Sequence, residues 1–154
     1  MRNTTLCYIE NGNSYLMLHR IKKKNDENQG KYVGIGGHFL ENESPYECVV
    51  REAKEETGLD IVPIYRGIVT FVSDKYECEQ MHLFTCKQYS GNQIVCNEGT
   101  LEWIEKSDLN KIPMWQGDYI FFDLLEKRSD FFSLKLEYQG DTLVSYSIDG
   151  VNIK

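Results

Sequence analysis

Hydrophobic and polar residues alternate along several stretches of the chain, a pattern that predicts β-strands. Two of these stretches lie within residues 5–19, on either side of Asn11-Gly12, a pair typical of tight hairpin turns. Residues 131–148 predict a second hairpin, with its turn at residues 139–141. Between the hairpins, further strands are predicted over residues 61–73, 81–88 and 101–104. Together these stretches predict a β-sheet.

The spacing of apolar residues lengthens to three or four between residues 45 and 57, which predicts an α-helix. Ser44 is a good N-cap, Pro45 fits the first helical position, and Glu47 completes a capping box. Gly58 is a suitable C-terminal stop. The helix should therefore run from about Pro45 to Thr57, with an apolar face made of Tyr46, Val49, Val50 and Ala53.

A second helix is predicted at about residues 119–128, capped by Gly117 or Asp118. Its apolar positions include Ile120, Phe121, Leu124 and Leu125. Residues 22–31 are polar and predict a loop. Because strands and helices are mixed without strict βαβ alternation, we expect an α+β fold, a mixed sheet with a few flanking helices. The length is that of one domain, residues 1–154.

The composition narrows the classes of protein to which the chain can belong. With 154 residues, 41% of them hydrophobic and 27% charged, it has the makeup of an ordinary globular domain. The net charge is −7, and the one basic run is Arg20–Lys24, which argues against a polymeric nucleic acid as partner. If the substrate is an anion, a bound divalent cation is the expected counterweight to this acidic background.

Neither a membrane protein nor a disulfide-bonded one is expected. No apolar run approaches the roughly 20 residues that cross a bilayer, and the N-terminus is too polar for a secretory signal peptide. Five cysteines, an odd number without a C-x-x-C pair, argue against a disulfide framework or a zinc site. Reduced thiols in a cytoplasmic protein are therefore expected.

Three glutamates share one side of the first predicted helix, because Glu52 precedes Glu55 and Glu56 by three and four residues. Like charges at this spacing cost about a few tenths of a kcal/mol each. A Mg²⁺ ion, in contrast, requires several carboxylate oxygens, and Arg51 can reach Glu47 and Glu55 to hold such a cluster in place. On these residues alone, a solvated charged face is the commoner explanation.

The wider pattern favours the metal site. A glycine-rich stretch, Val33-Gly34-Ile35-Gly36-Gly37, precedes the helix and either lets the backbone approach a ligand or forms a plain turn. The Nudix box, G-x5-E-x7-R-E-U-x-E-E-x-G-U with U a bulky aliphatic residue, is matched at Gly37, Glu43, Arg51, Glu52, Glu55, Glu56 and Gly58. Leu59 fills the second U, and Ala53, smaller than usual, fills the first.

The chain therefore resembles the Nudix hydrolases. The resemblance implies an α/β/α sandwich with a mixed sheet, in which the box forms a loop–helix–loop that holds the catalytic metals. Mg²⁺, or alternatively Mn²⁺, would be bound by four groups: the carbonyl of Gly36 and the carboxylates of Glu52, Glu55 and Glu56. Glu43 would pair with Arg51 or support the site at longer range.

Catalytic roles also follow from the resemblance. Nudix enzymes attack a phosphorus atom of a nucleoside diphosphate linked to another group, and the metals lower the pKa of the attacking water. Glu52 is the preferred general base, although the base varies within the family. The residues assigned to catalysis are Arg51, Glu52 and Glu55.

Residues 97–103 and 112–118 resemble the MutT-type subgroup that acts on oxidised nucleotides, including its bacterial MutX-like branch. In that subgroup a glutamate five residues before a tryptophan is a further metal ligand. Glu98 holds this position, and a loop glutamate in solvent is the alternative. Trp115 would stack on a purine, with a core tryptophan as the alternative. Asp118 would bond the purine edge, cap the second helix, or do both.

Four other residues are assigned to the substrate by the same resemblance. Phe71 would form the pocket wall, with a core position as the alternative, and Arg20 would steady phosphate or sugar. Gly37 and His38 would adjoin the substrate. Because His38 replaces a common lysine and is largely uncharged at neutral pH, a surface residue is expected there rather than a catalyst.

Two departures concern recognition of the base. The animal 8-oxo-dGTP diphosphatases carry an asparagine that reads the purine where this chain has Val33, and an aspartate where it has Gly117. The bacterial branch tolerates both changes. The resemblance therefore does not fix how selective the chain is for an oxidised guanine.

The expected function is hydrolysis of 8-oxo-dGTP, or a related purine nucleoside triphosphate, to the monophosphate and pyrophosphate, which would clean the nucleotide pool. One alternative is a Nudix pyrophosphatase acting on another nucleoside diphosphate derivative, such as ADP-ribose. Another is a nucleotide-sensing module that binds without cutting, against which the complete set of box glutamates argues. The expected partner is a small nucleotide, with neither polymeric nucleic acid nor a membrane, and the chain is expected to be a monomer or homodimer.

Overall fold

Nine β-strands from the described part of the chain, residues 1–21 and 27–154, join in one mixed sheet in this computed structural model. In chain order they are β1 (Arg2–Asn11), β2 (Ser14–His19), β3 (Tyr32–Val33), β4 (Leu59–Ser73), β5 (Glu79–Gly91), β6 (Thr100–Glu105), β7 (Phe132–Gln139), β8 (Thr142–Ile148) and β9 (Val151–Asn152). Their spatial order is β3-β2-β1-β5-β4-β7-β8-β9, and β6 pairs with β2. The pairs β1–β5 and β4–β7 are parallel, and the other pairs are antiparallel.

Two α-helices lie on opposite faces of this sheet, α1 (Pro45–Thr57) and α2 (Gln116–Lys127), and a short 3₁₀ helix spans Lys106–Lys111. Successive residues of β1 point to opposite faces. Tyr8 accordingly packs in the core on the α2 side, whereas Cys7 and Ile9 pack in the core on the α1 side. The predicted α+β fold, with a mixed sheet between helices, is confirmed.

Helix α1 begins and ends where the sequence predicts. The Ser44 hydroxyl accepts a hydrogen bond from the Glu47 amide at 3.1 Å, and the Ser44 amide donates to the Glu47 carboxylate at 3.0 Å. Gly58 ends the helix with a φ of 80°, and its amide donates to the Lys54 carbonyl at 3.0 Å. Of the predicted apolar face, Tyr46 is exposed, and Cys48 is buried instead.

Helix α2 begins earlier than predicted, at Gln116 rather than near residue 119. Trp115 occupies the N-cap position and makes no capping hydrogen bond with its side chain, so the prediction of Gly117 or Asp118 as cap is wrong. The reason is a tertiary contact, because the Gly117 amide donates to the Tyr138 hydroxyl of β7 at 2.7 Å. An amide of the first turn thus finds its acceptor on the sheet.

Both predicted hairpins are present, with small differences in their turns. Asn11 pairs with Ser14, so the first turn is Gly12-Asn13, one residue later than predicted. In the second hairpin Gln139 pairs with Thr142. Of the predicted loop at 22–31 and the basic run Arg20–Lys24, residues 22–26 lie outside the described residues. Among the helices of the described ranges, none is long and apolar enough to span a membrane.

The glycine-rich stretch crosses between strands β2 and β1. Tyr32 and Val33 pair with the end of β2, and farther along Ile35 and His38 pair with Cys7 and Thr4 of β1. The stretch therefore runs along β1 immediately before α1, and this path sets the glycines against the acidic side of the helix.

Candidate functional site

Gly36 and Gly37 allow the backbone to approach other protein atoms more closely than any side chain would permit. A Cβ atom at Gly36 would lie 1.9 Å from the Thr5 carbonyl oxygen of β1. At Gly37 it would lie 2.7 Å from the carboxyl carbon of Glu52. These two glycines therefore set the Glu52 carboxylate directly against the main chain, which a plain turn does not require.

Arg51 is the centre of the ion-pair network on α1. Its guanidinium donates two hydrogen bonds to Glu43, at 2.6 and 3.0 Å, one to Glu52 at 2.9 Å and one to Glu55 at 3.1 Å. A further bond of 3.0 Å reaches the His38 carbonyl. Hydrogen bonding to Arg51 lowers the pKa of Glu43 to about 2. Arg51 therefore fixes the orientation of Glu52 and Glu55, and its positive charge balances the ionised carboxylate of Glu43.

One predicted partner of Arg51 is wrong. Glu47 does not pair with it, because the Glu47 carboxylate already accepts the Ser44 amide in the capping box. Glu43, eight residues before Arg51, takes that place. Lys54, which points away from this network, forms an exposed ion pair of 3.2 Å with Asp60.

Glu56 is buried beside other carboxylates, and no ion pair of Glu56 is present among the described residues. The residue is 7% exposed, and among the described residues its Oε2 atom has no hydrogen-bond partner. Burial, together with the nearby charges of Glu52 and Glu98, raises the pKa of Glu56 to about 9. A carboxyl group in such surroundings stays neutral unless a positive charge joins it.

These carboxylates fit a divalent metal ion by their chemistry. As they stand, no three Asp, Glu, His or Cys side chains within residues 1–21 and 27–154 are grouped closely enough to hold a metal ion. Glu52 and Glu55 are turned towards Arg51, while the Glu56 oxygen has no partner within the described chain. The charges of Glu52 and Glu98 act unfavourably on the buried Glu56 carboxyl, and a hard cation is what stabilises carboxylates so placed.

Glu98 reaches this cluster from the loop before β6. The Ile94 amide donates to the Thr57 carbonyl at 2.9 Å, which attaches the loop to the end of α1. A Cβ atom at Gly99 would lie 2.1 Å from the His19 carbonyl oxygen, so the loop also lies close on β2. Glu98 is half-exposed, with its Oε2 atom 3.7 Å from Arg20. Glu98 therefore lies near enough to the cluster for its charge to act on Glu56.

A cavity of about 530 Å³ opens beside the cluster. Nine of the residues that the sequence assigned to metal, catalysis or substrate line it: Arg20, Gly36, Gly37, His38, Glu52, Phe71, Glu98, Trp115 and Asp118. Arg51, Glu55 and Glu56 lie outside this lining. His38 is exposed at the cavity's rim, as expected of a surface residue. The lining therefore includes two groups of neighbouring residues, an acidic one with Glu52 and Glu98 and an aromatic one with Phe71 and Trp115, which we call the acidic and the aromatic end.

Trp115 forms part of both the core and the cavity wall. It is 9% exposed and makes edge-to-face contacts with Phe71 and Tyr138, at ring-centroid distances of 5.8 and 5.2 Å. Its indole N–H donates to Asn28 at 2.7 Å, and the Lys31 ammonium lies 4.6 Å from the ring centroid. Both alternatives for Trp115 and Phe71, core and pocket, describe part of their surroundings.

Asp118 is a buried acid in the first turn of α2. It lines the cavity at 8% exposure, and burial raises its pKa to about 8, against the opposing effect of Lys31. Burial raises the pKa values of the Tyr8 and Tyr138 hydroxyls, and the negative charge of Asp118 raises them further. At neutral pH the carboxyl is therefore mostly protonated, and it is able both to donate and to accept a hydrogen bond.

Replacing Asp118 by Asn should raise the unfolding temperature by an amount that grows as the pH rises from about 4 to about 8. The folded-state pKa of Asp118 lies above its ordinary value of 3.8, so the folded state binds more protons in this interval and loses stability as the pH rises. Asparagine does not ionise and escapes this loss. Thermal unfolding across that pH range, with exposed Asp123→Asn of the same helix as control, tests it. If the difference in unfolding temperature between Asp118→Asn and the wild type did not change with pH, the raised pKa of Asp118 would be contradicted.

Sequence reasoning missed several residues of the cavity wall, among them Tyr8 and Tyr138. Both sit at alternating positions of predicted strands, and both are buried in the core. Hydrophobic alternation identifies such tyrosines as core residues, and it contains no signal for where the hydroxyl group lies.

Comparisons with known proteins agree with this geometry. The family model of the NUDIX domain matches residues 1–125. The chain is 29% identical to an uncharacterized Nudix hydrolase, YvcI, of Bacillus subtilis, over 100% of this chain and 98% of that protein. It is 29% identical to the oxidized purine nucleoside triphosphate hydrolase of Danio rerio, over 84% of each. A MutT protein of Bacillus halodurans superimposes with a TM-score of 0.85 at 26% identity, covering 97% of this chain and 98% of that one.

Proposed function

The chain belongs to the NUDIX domain family and is a Nudix pyrophosphohydrolase, and on this premise we propose that its substrate is a purine nucleoside triphosphate. The proposed reaction converts 8-oxo-dGTP, or a related purine deoxynucleotide, to the monophosphate and pyrophosphate. The observation that carries the proposal is the single cavity that joins an aromatic end, with Trp115 and Asp118, to an acidic end at Glu52. A nucleotide has the same two parts, a flat polar base and a polyphosphate.

The aromatic end suits the base. Trp115 and Phe71 offer aromatic surface, and stacking of a base on such a side chain is worth about 1–3 kcal/mol. Asp118, neutral at pH 7, supplies a hydrogen-bonding group for the base edge without an unpaired buried charge. Arg20, which also lines the cavity and lies 3.7 Å from Glu98, is proposed to steady the phosphates or sugar.

The acidic end suits the phosphates only in the presence of a cation. We assign the ligand roles for Mg²⁺ to the Gly36 carbonyl, Glu52, Glu55, Glu56 and Glu98. Once bound, such an ion neutralises phosphate oxygens and lowers the pKa of the attacking water. The repulsion among Glu52, Glu56 and Glu98, and the unpaired Glu56 oxygen, support this assignment.

The proton transfer is assigned to Glu52. In the proposed step, a water oxygen forms a bond to phosphorus, and the bond from that phosphorus to the bridging oxygen breaks. Glu52 accepts the proton that the water loses, and pyrophosphate and the monophosphate leave. Arg51 holds Glu52 through a 2.9 Å hydrogen bond, and Gly37 leaves room for the carboxylate beside the main chain.

Hydrolysis of another nucleoside diphosphate derivative, such as ADP-ribose, is the second candidate. The same carboxylates serve it, because they act on phosphates that both substrate classes share. The name of the zebrafish relative, an oxidized purine nucleoside triphosphate hydrolase, favours the first candidate. A role in clearing damaged nucleotides from the cytoplasmic pool, as monomer or homodimer, belongs to the same proposal.

The first test is a hydrolysis assay with Mg²⁺ that measures the nucleoside monophosphate formed. It compares 8-oxo-dGTP, dGTP, dATP, dCTP and ADP-ribose at low concentration. We expect kcat/KM for 8-oxo-dGTP to exceed that for dGTP by at least about tenfold, or about 1.4 kcal/mol in the transition state. A parallel series with Mn²⁺ identifies the preferred ion. Turnover of ADP-ribose alone would contradict the substrate assignment and keep the Nudix chemistry.

A further inference from the structure

The Tyr8 hydroxyl is a buried polar group that forms no hydrogen bond of regular geometry with the described residues. Tyr8 is 0% exposed, and among the described residues its oxygen has no hydrogen-bond partner. Its ring packs against Tyr15, Phe121 and Phe122, at centroid distances of 5.7, 5.7 and 4.6 Å. Phenylalanine would make the same ring contacts without the cost of burying an unpaired hydroxyl. Packing therefore explains the ring of Tyr8 and leaves its hydroxyl unexplained.

The hydroxyl end of Tyr8 lies at the cavity. A Cβ atom added to Gly34 would be 2.9 Å from the Tyr8 Cζ atom, which carries the hydroxyl. Gly34, Tyr8, Asp118 and Val33 all line the cavity. Burial raises the pKa of Tyr8, the charge of Asp118 raises it further, and the neighbouring Gly34 amide lowers it. The hydroxyl thus lies between a glycine of the cavity wall and the buried acid, beside the apolar Val33.

We propose that the Tyr8 hydroxyl, together with Asp118, determines which base the cavity accepts. Each group both donates and accepts hydrogen bonds, so the pair matches a purine edge on which a donor and an acceptor are neighbours, as on N1 and O6 of guanine. Val33 offers no polar atom there, and Tyr8 supplies one from β1. The assignment rests on the proposed function, because it takes the aromatic end of the cavity as the base site.

The missing hydrogen bond of the Tyr8 hydroxyl has an energetic consequence for the protein without ligand. Because the hydroxyl has no regular hydrogen-bond partner among the described residues and gains one from the base on this assignment, Tyr8→Phe removes a burial cost from the free state and a hydrogen bond from the complex. A hydroxyl with only a structural role would have the opposite signature, a loss of stability without a change in selectivity. The two roles are therefore separable by measurements on one variant.

The experiment measures the binding of dGMP and of 2-aminopurine deoxyribonucleoside monophosphate, which lacks the 6-oxygen and the N1 hydrogen, by titration calorimetry. We expect Tyr8→Phe to weaken dGMP binding about tenfold, or about 1.4 kcal/mol, and to leave 2-aminopurine binding unchanged. Its unfolding temperature should equal or exceed that of the wild type. Tyr15→Phe, in the same aromatic cluster but away from the cavity lining, is the matched control and should bind both ligands normally.

Three results would overturn the assignment. Unchanged dGMP binding by Tyr8→Phe, in a wild type that binds dGMP, would refute the role of Tyr8 and spare the proposed function. Equal weakening for both ligands together with a lower unfolding temperature would mean that the hydroxyl is structural. A wild type that binds neither monophosphate and cleaves no purine triphosphate would refute the proposed function as well.

Discussion

Replacing Glu56 by Gln should lower kcat about a thousandfold, equivalent to about 4 kcal/mol, while the protein remains folded. The amide has the shape of the carboxyl group but lacks the negative charge that the proposed cation needs. Stability should change little, because burial raises the Glu56 pKa to about 9 and already keeps the cation-free carboxyl mostly neutral at pH 7. Pyrophosphate release as a function of Mg²⁺ concentration, combined with thermal unfolding, measures both effects.

The control for this variant is Glu41→Gln, which makes the same carboxylate-to-amide change at an exposed residue just before α1. It should retain wild-type activity, because Glu41 is not among the residues assigned to the metal or the substrate. A Glu56→Gln protein that works at the wild-type rate would refute the metal-site assignment. An inactive but unfolded one would mean that Glu56 acts in the fold, and the unfolding measurement distinguishes these cases.

Changing Arg51 to Lys should lower kcat/KM by about 10–100-fold although the positive charge is kept. The Arg51 guanidinium bonds Glu43 at two points, Glu52 and Glu55 at one point each, and the His38 carbonyl at another. A lysine ammonium is a compact charge and does not span these five bonds. We expect Glu52 to lose its fixed orientation, so that kcat falls more than KM rises.

Lys54→Arg makes the converse exchange three residues later, at an exposed ion pair with Asp60. It should leave kcat/KM unchanged, because exposed pairs of this kind contribute little. Steady-state kinetics at several Mg²⁺ concentrations compares the two variants. If Arg51→Lys had wild-type kinetics, the positive charge at residue 51 would be sufficient for activity and the five hydrogen bonds would not be required.

Features that depend on neighbours in sequence were predictable. Helix α1 was predicted from Ser44, Pro45 and Gly58, because these residues satisfy its terminal groups locally. The box glutamates and the cavity residues were found through a motif of fixed spacing and a resemblance to known enzymes. The hairpins followed from alternation and turn residues, to within one residue at Gly12.

Features that depend on distant contacts were not predictable. The start of α2 depends on Tyr138, 21 residues beyond Gly117, and no residue near Gly117 in the sequence indicates that contact. Glu47 was expected to pair with Arg51, but the Ser44 amide competes for the same carboxylate. Tyr8 has the alternation of a core residue, and only the folded sheet brings its hydroxyl end beside Gly34 and the cavity.

The hydrogen bonds of Arg51 also bear on which cations enter the site. On the proposed ligand assignment, an incoming ion competes with a guanidinium for Glu52 and Glu55. A monovalent ion such as K⁺ gains too little from these carboxylates to displace an internal counterion that is already hydrogen-bonded to them. A small divalent ion gains about twice as much from each carboxylate at the same distance. Arg51 would thus discriminate against monovalent ions, in addition to holding the acids in place.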